Sequence, residues 1–531
     1  MVAALGRSFI MGMFGRFALS AALLFVISGC DDTDTEDPAP AVPGVDVSTP
    51  LDAVVDGSMP APMVDGAGPD GPTPEQTRLF SVPETDEFSI DGLTGDVHVV
   101  RTEFDIPHIF AQNPIDLARV HGFVMARDRF WMMDLGRRLG KGTLSALFGD
   151  LVLGSDITSR ARGFAVVGAR VYTHFPPERR ASLDAFAAGI NDYIAAVAEG
   201  ALPPPSELGL FFGLLGAASP AELMMPWTGA DVAAFAAVVI DRSACNRSEL
   251  ENAAAVAELT EREDDRADAL LRDLVLGVKP IVDTTTVPDA IPESRRQKAA
   301  PTDEPPIIGG PARAPRSLVI DLARRLRQAM IPGRLISGSN AWAVAPAGTS
   351  DGATLVAGDG HLDLTVPSFF HQAGLDTGVL GGTPWHVRGN FVAGLPPLGV
   401  GTNGHVAWSF TCFYADTIDY FHESLRLGPD GLPDASFFQG EWRPLTRTDE
   451  TYETRALPAL NRPATTRVEP MFVLFDGRRV LTVEGRPVED GEMGVDLGDG
   501  PIVPSDVDGD GIVSAVSLDA SYLDVAGSLG A

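Results

Sequence analysis

Gly338-Ser339-Asn340-Ala341-Trp342-Ala343-Val344, followed after a short connection by Gly358-Asp359-Gly360-His361-Leu362, is the stretch on which the reading of this chain turns. A serine preceded by glycine leads an apolar run that reads as a strand. Ala353 to Ala357 reads as a second strand, ending in a turn that carries His361. A serine hydroxyl is a weak nucleophile and needs a base beside it. The amine of an N-terminal residue can be that base, provided the chain is cut immediately before it. Gly338 suits such a cut, because without a Cβ it hinders little and tolerates unusual backbone angles. Taken alone, however, Gly-Ser-Asn is a short string that recurs by chance, and a serine entering a strand from a turn accounts for it more simply.

Further along come Gly404-His405-Val406-Ala407-Trp408-Ser409-Phe410-Thr411 and then Asp416 and Asp419. In this order the strings resemble the start of the β-subunit in the penicillin acylase (penicillin amidase) family, a group of N-terminal-nucleophile hydrolases. Upstream, Gly122-Phe123-Val124-Met125-Ala126-Arg127-Asp128-Arg129 and the pair Arg137-Arg138 resemble the start of that family's α-subunit. The resemblance implies an α+β fold, the αββα sandwich of these hydrolases, with a largely helical N-terminal part. It also implies a precursor that cuts itself between Gly338 and Ser339, leaving Ser339 as the nucleophile toward an amide. An α-amine has an unperturbed pKa near ~7.7–8.0, suited to taking the hydroxyl proton around neutrality.

The remaining site residues follow from the same resemblance. His361, 22 residues after Ser339, stands at the family position for a side chain beside the nucleophile. It is expected to orient the α-amine or polarise a bridging water. A lone histidine is more often structural, but a histidine at this position resembles the cephalosporin and acyl-homoserine-lactone acylases, where other members carry glutamine. Alignment on Trp408 and Thr411 makes the backbone N–H of Cys412 the first oxyanion donor. The second donor in the family is an asparagine far downstream, which has no match before Ala531. Glu249, within Ser-Glu-Leu-Glu-Asn, together with Asp416 and Asp419, matches three calcium ligands, and carboxylate oxygens suit that hard cation. Arg242 matches a substrate-pocket arginine, with Ser243 beside it where some members have an aromatic. Cys245 and Cys412 fall near the implied site, and an oxidising compartment would permit them to pair.

Composition sets the outer bounds. A length of 531 residues calls for more than one structural unit. A formal net charge of −32 argues against nucleic-acid binding, which needs basic surface, and fits a secreted, well-solvated protein. Three cysteines cannot build a disulfide framework. Arg7 and Arg16 lead into an apolar run from Phe17 to Ile27, of signal-peptide length. The run ends Ile27-Ser28-Gly29-Cys30, which resembles a bacterial lipobox with Cys30 as the lipidated residue and implies a periplasmic protein anchored to a membrane by lipid alone.

The chain accordingly divides into a signal at 1–30, a Pro-, Asp- and Ala-rich tether at 31–76, an α-subunit-like region at 77–260, a spacer at 261–338 and a β-subunit-like region at 339–531. Strands are expected at Val97–Arg101 and just after it, helices over Asp116–Leu139, Leu183–Val197 and from Ala230 towards Arg242, and a basic helix over Leu318–Met330. Beyond Ser339, strands are expected over Trp385–Phe391, Gly404–Thr411, Glu450–Arg455 and Arg467–Phe475, in a mostly antiparallel sheet. His108, Arg129 and Arg138 read as structural. Asp506-Val507-Asp508-Gly509-Asp510-Gly511 mimics the start of a calcium loop, but the bidentate position holds a serine, so it reads as an acidic turn.

The expected function is a self-processing hydrolase of linear amides in N-acylated small molecules, of the β-lactam or N-acyl homoserine lactone type, working as a calcium-bound α/β heterodimer. The rival expectation is a truncated, non-catalytic relic lipoprotein that binds calcium or acyl compounds. An ordinary Ser-His-Asp hydrolase finds no support, since no Gly-x-Ser-x-Gly elbow surrounds Ser339.

Overall fold

The structure, a computed structural model, describes residues 72–213, 215–243, 338–362, 366–411, 418–497, 501–507 and 509–519. The signal, most of the tether and the spacer with its basic helix lie outside them. Contacts divide the chain into two units. In the smaller, Gly29–Ser89, the described residues form one short helix, α1 (Pro74–Phe80). It opens on a capping box, in which Thr73 Oγ1 accepts from Gln76 N–H (3.1 Å) and Gln76 Oε1 accepts from Thr73 N–H (2.9 Å). Helix therefore starts inside the expected tether.

The larger unit is built on a helix pair. α2 (Pro114–Lys141) begins at Asn113, whose side chain caps the first turn, and ends at Gly142 in the left-handed region (φ 62°). After it come α3 (Ser145–Phe148), α4 (Leu153–Arg162), α5 (Phe164–His174) and α6 (Pro177–Ala198). α2 and α6 touch backbone to backbone at two glycines. A Cβ on Gly122 would overlap the Phe186 carbonyl, and one on Gly189 would overlap the Arg119 carbonyl. Arg119 and Asp192 pair at 2.7 Å across the same contact. α7 (Ser206–Phe211) and α8 (Gly229–Ser243) complete the described helices.

Two large sheets flank these helices. The first has order β1-β2-β5-β6-β7-β8, formed by β1 (His98–Arg101), β2 (Pro107–Phe110), β5 (Phe370–Asp376), β6 (His386–Val392), β7 (Leu398–Thr402) and β8 (Ala407–Trp408). Its one parallel ladder, β2 with β5, joins a strand before Ser339 to one after it. Ile109, Ala373, Leu375, Val387 and Phe391 from this sheet share a core with Leu117, Val120 and Val124 of α2 and Phe186 and Ile190 of α6. The second sheet is antiparallel throughout, with β9 (Asp419–Leu427), β10 (Pro433–Phe438), β11 (Glu441–Pro444), β12 (Thr446–Thr454), β13 (Thr465–Val473), β14 (Arg479–Val483) and β17 (Val513–Asp519). Its Met471, Phe472, Val480 and Val513 pack with Phe164 and Val167 of α5 and Phe235 and Val238 of α8. β15 (Gly485–Pro487) pairs only with β16 (Ile502–Pro504). Helices and sheets thus give the α+β class, with a helical N-terminal part, that the resemblance implies.

Three details differ from expectation. Gly404–Thr411 is not one strand: only Ala407–Trp408 pairs, because Asn403 Oδ1 accepts from both His405 and Val406 N–H and Gly404 takes φ +84°, which makes a turn. Helices α3 to α5 were not expected. In α4, Leu153, Ile157 and Ala161 form a short apolar stripe, but the polar Asp156, Thr158, Ser159 and Arg162 are buried as well, which blurs the pattern. The α6 helix also starts earlier, at Pro177, where a missing N–H costs nothing. Elsewhere the structural readings of Arg138 and of the acidic turn hold. Arg138 is buried, donating to Asp134 (2.6 Å) and to the Leu223 carbonyl (2.7 Å). The acidic turn is a turn: Asp506 accepts N–H bonds from Gly509, Asp510 and Gly511, between strands rather than helices.

Candidate active site

β3 (Gly338–Val344) and β4 (Leu355–His361) form a separate antiparallel hairpin. His361 is the last residue of β4 and not part of a turn, because the ladder runs to the end: Gly338 faces His361, Ser339 faces Gly360 and Asn340 faces Asp359. In an antiparallel pair, directly opposed residues share a face and successive residues alternate. Gly338, Asn340, Asp359 and His361 therefore share one face, and Ser339 with Gly360 the other. Side-chain contacts agree, for His361 Nε2 lies 3.1 Å from Asn340 Nδ2 and 3.1 Å from Asp359 Oδ2. One ring nitrogen cannot donate to the carboxylate and accept from the amide at once. A proton on Nε2 satisfies Asp359, with Asn340 then turning its amide oxygen to the ring.

The face that carries Ser339 has its own neighbour. A Cβ on Gly358 would collide with the Oγ of Ser409, just after β8, and would crowd Val400 Cγ1 at 3.2 Å. Ser409 Oγ is itself buried without a hydrogen-bond partner among the described residues. Away from that contact the hairpin is open to solvent, with Trp342 53% and Leu355 54% exposed.

Of the expected site residues, the hairpin brings Gly338, Ser339 and His361 together. Arg242 sits elsewhere, half-buried in the last turn of α8, where a cation suits the helix dipole. That turn is fastened by its neighbour Asp241, which pairs with Arg162 of α4; burial alone would lower the guanidinium pKa, but Asp241 and Tyr420 beside it outweigh that and raise it. Asp419 opens β9, directly opposite Asp519 of β17. Cys412, Glu249 and Asp416 lie outside the described residues, as do Cys30 and Cys245. No group of three or more metal-binding side chains occurs among the described residues.

Sequence reasoning missed Asn340, Asp359, Ser409 and Asp519. The first two were legible from the period of two, once 338 is paired with 361; Ser409 and Asp519 become neighbours of the site only through the fold.

The penicillin amidase family profile matches residues 96–469, most of the chain. The chain belongs to the penicillin amidase family. Penicillin G acylase of Escherichia coli is 24% identical over 381 residues, covering 67% of this chain and 43% of that protein. A penicillin acylase 2 proenzyme of a Pseudomonas species is 29% identical, over 68% of this chain and 42% of its own length. An acyl-homoserine lactone acylase of Pseudomonas fluorescens is 26% identical, over 68% and 40% respectively. The chain thus spans less than half the length of these relatives. Among solved structures, a thermostable penicillin G acylase from Alcaligenes faecalis shares 25% identity and covers 39% of this chain and 98% of that one, with a TM-score of 0.30.

Proposed function

We propose that this penicillin amidase family chain is the precursor of an amidohydrolase that cuts itself before Ser339 and then cleaves the amide of an N-acylated small molecule. The observation that carries this reading is the register of the hairpin: His361 stands opposite Gly338, the residue whose peptide bond would be cut, while Ser339 turns to the other face. After the cut, the new α-amine of Ser339 ends β3 on the His361 side. The imidazole, held by Asp359, then orients the amine, and the hydroxyl meets the substrate from the opposite face.

In maturation the Ser339 hydroxyl adds to the Gly338 carbonyl and the C–N bond breaks. The nitrogen takes the proton as the new α-amine, and water opens the ester. In turnover the amine accepts the hydroxyl proton as Oγ attacks the substrate amide; the proton passes to the leaving amine, and water hydrolyses the acyl-serine. The N–H of Cys412 is the oxyanion donor in this scheme. Arg242 is the substrate-pocket cation, and the acyl donors are of the penicillin or acyl-homoserine lactone type named for the relatives.

Calcium belongs to the same reading, held by Glu249, Asp416 and Asp419. The donor chemistry fits. Lipidation at Cys30 would hold the protein in the periplasm; among the described residues no helix is long and apolar enough to cross a membrane.

The test is intact-mass analysis with N-terminal sequencing of the wild type and Ser339→Ala, expressed with the native N-terminus. A new N-terminus at Ser339 in the wild type alone is expected. An uncut wild-type chain, or a cut that persists in Ser339→Ala, overturns the reading.

A further inference from the structure

A cavity of about 310 Å³ opens beside a break in α2. Arg129, deep in that helix, takes φ −142° and ψ 17°, outside the helical range. Backbone held in a sparsely populated region is often tied to ligand contact. Most charges around the opening are spoken for. Arg101 pairs with Asp128 (2.8 Å) and Asp105 (3.1 Å), and Asp128 also meets His371 Nε2 at 3.0 Å.

Two lining groups differ. Arg129 spends one N–H on the Asp128 carbonyl (2.8 Å), its Nε is buried without a partner, and no described carboxylate lies within ion-pair range of it. Glu207 accepts only the hydroxyl of its neighbour Ser206 (3.1 Å) and meets no described cation. Trp131, Tyr193 and the run Pro203–Pro205 complete the lining, but the surface that faces the cavity is mostly polar. The Tyr193 hydroxyl is engaged with the Pro203 carbonyl at 3.2 Å, so its polar end is already satisfied.

We propose that this cavity binds a small zwitterion of the α-amino-acid class, its carboxylate on Arg129 and its ammonium on Glu207. The reason is electrostatic bookkeeping at a partly desolvated site. A ligand with a single charge satisfies one of the two side chains and leaves the other facing it unpaired, at a cost. A zwitterion satisfies both. The site is formed before Ser339 in the chain and uses none of the hairpin residues.

The experiment is calorimetric titration of the full chain carrying Ser339→Ala, so that neither processing nor turnover contributes heat. The probes are L-phenylalanine, 3-phenylpropanoate (amine deleted) and 2-phenylethylamine (carboxylate deleted). L-Phenylalanine is expected to saturate one site and to bind at least about tenfold more tightly than either analogue. Glu207→Gln should weaken L-phenylalanine at least about tenfold and leave 3-phenylpropanoate unchanged, and Arg129→Gln should spare 2-phenylethylamine instead. Glu207→Gln lies on a short surface helix, so it keeps the test valid if Arg129→Gln proves misfolded by circular dichroism. No saturable heat with L-phenylalanine up to about 10 mM, or binding that ignores Glu207→Gln, overturns the proposal.

Discussion

His121 lies in the middle of α2 with its ring edge-on to Phe186 and Phe391, at centroid separations of 5.4 and 4.7 Å. Its Nε2 is buried without a partner. Burial, reinforced by nearby His371, pushes its pKa down to about 3. An imidazole that stays neutral when folded but takes a proton when unfolded favours the unfolded state in acid. Its contribution is therefore complete above the ordinary histidine range and is lost as pH falls from 6.5 towards about 3. His121→Leu, close in volume, should remove about 1.4 kcal/mol of stability loss per pH unit across that window. Denaturant titrations at pH 6, 5 and 4 give the slope, and an unchanged slope would show that other groups govern acid unfolding. Nothing in the sequence marks His121, because its burial comes from β6 and α6, distant along the chain.

At the scale of elements, the hairpin is held to the six-stranded sheet where Gly358 passes Ser409. Gly358→Ala puts a methyl into that hydroxyl, and the neighbour is too close to give by a few tenths of an ångström. The hairpin must then lift, and Ser339 and His361 move with it. Self-cleavage is expected to slow by at least about tenfold, since a misplacement of about 1 Å can cost that much or more. Adding Ser409→Gly removes the obstructing side chain and should restore the rate in the double variant. If Gly358→Ala matures at the wild-type rate, the contact does not position the nucleophile. The hairpin itself was legible, because Gly338 to Val344 and Ala353 to Ala357 carry their own strand signals. The place where β4 ends was not: His361 belongs to the strand because its partner is Gly338, a pairing that only the register states. The short helices α3 to α5 were missed for another reason: α3 is a single turn, and the apolar spacings of α4 (Leu153, Ile157, Ala161) and α5 (Phe164, Val167, Val171) are present but too short to stand out.

Across the whole molecule, strands from both sides of Ser339 share a ladder, and both cores mix helices from before it with strands from after it. A cut at Ser339 would leave two polypeptides joined by that core. Processed protein is therefore expected to elute as one species in native gel filtration and to separate only in denaturant. EGTA should lower its unfolding midpoint without splitting it, by the equivalent of about 2.7 kcal/mol where free calcium had been a hundredfold above Kd. Asp419→Asn should abolish the EGTA effect. Separation in EGTA alone would mean that the ion, not the core, holds the pieces. The α+β class came with the family resemblance, while periodicity marked several of the main helices and strands. Which strands become neighbours was not legible, because ladders such as β2 with β5 or β9 with β17 join segments far apart in the chain.

The link between β3 and β4 tolerates change in a way that its ends do not. It turns through Pro346–Gly348 and through Gly352 at φ +73°, where an added Cβ would meet nothing within 4 Å. Extra residues spliced in there would lengthen the loop while leaving the ladder paired as before. The interval of 22 residues between serine and histidine is then set by the length of this loop and is not a requirement of the ladder. What descent must preserve is parity: the histidine one rung beyond the serine's partner, on the other side of the ribbon.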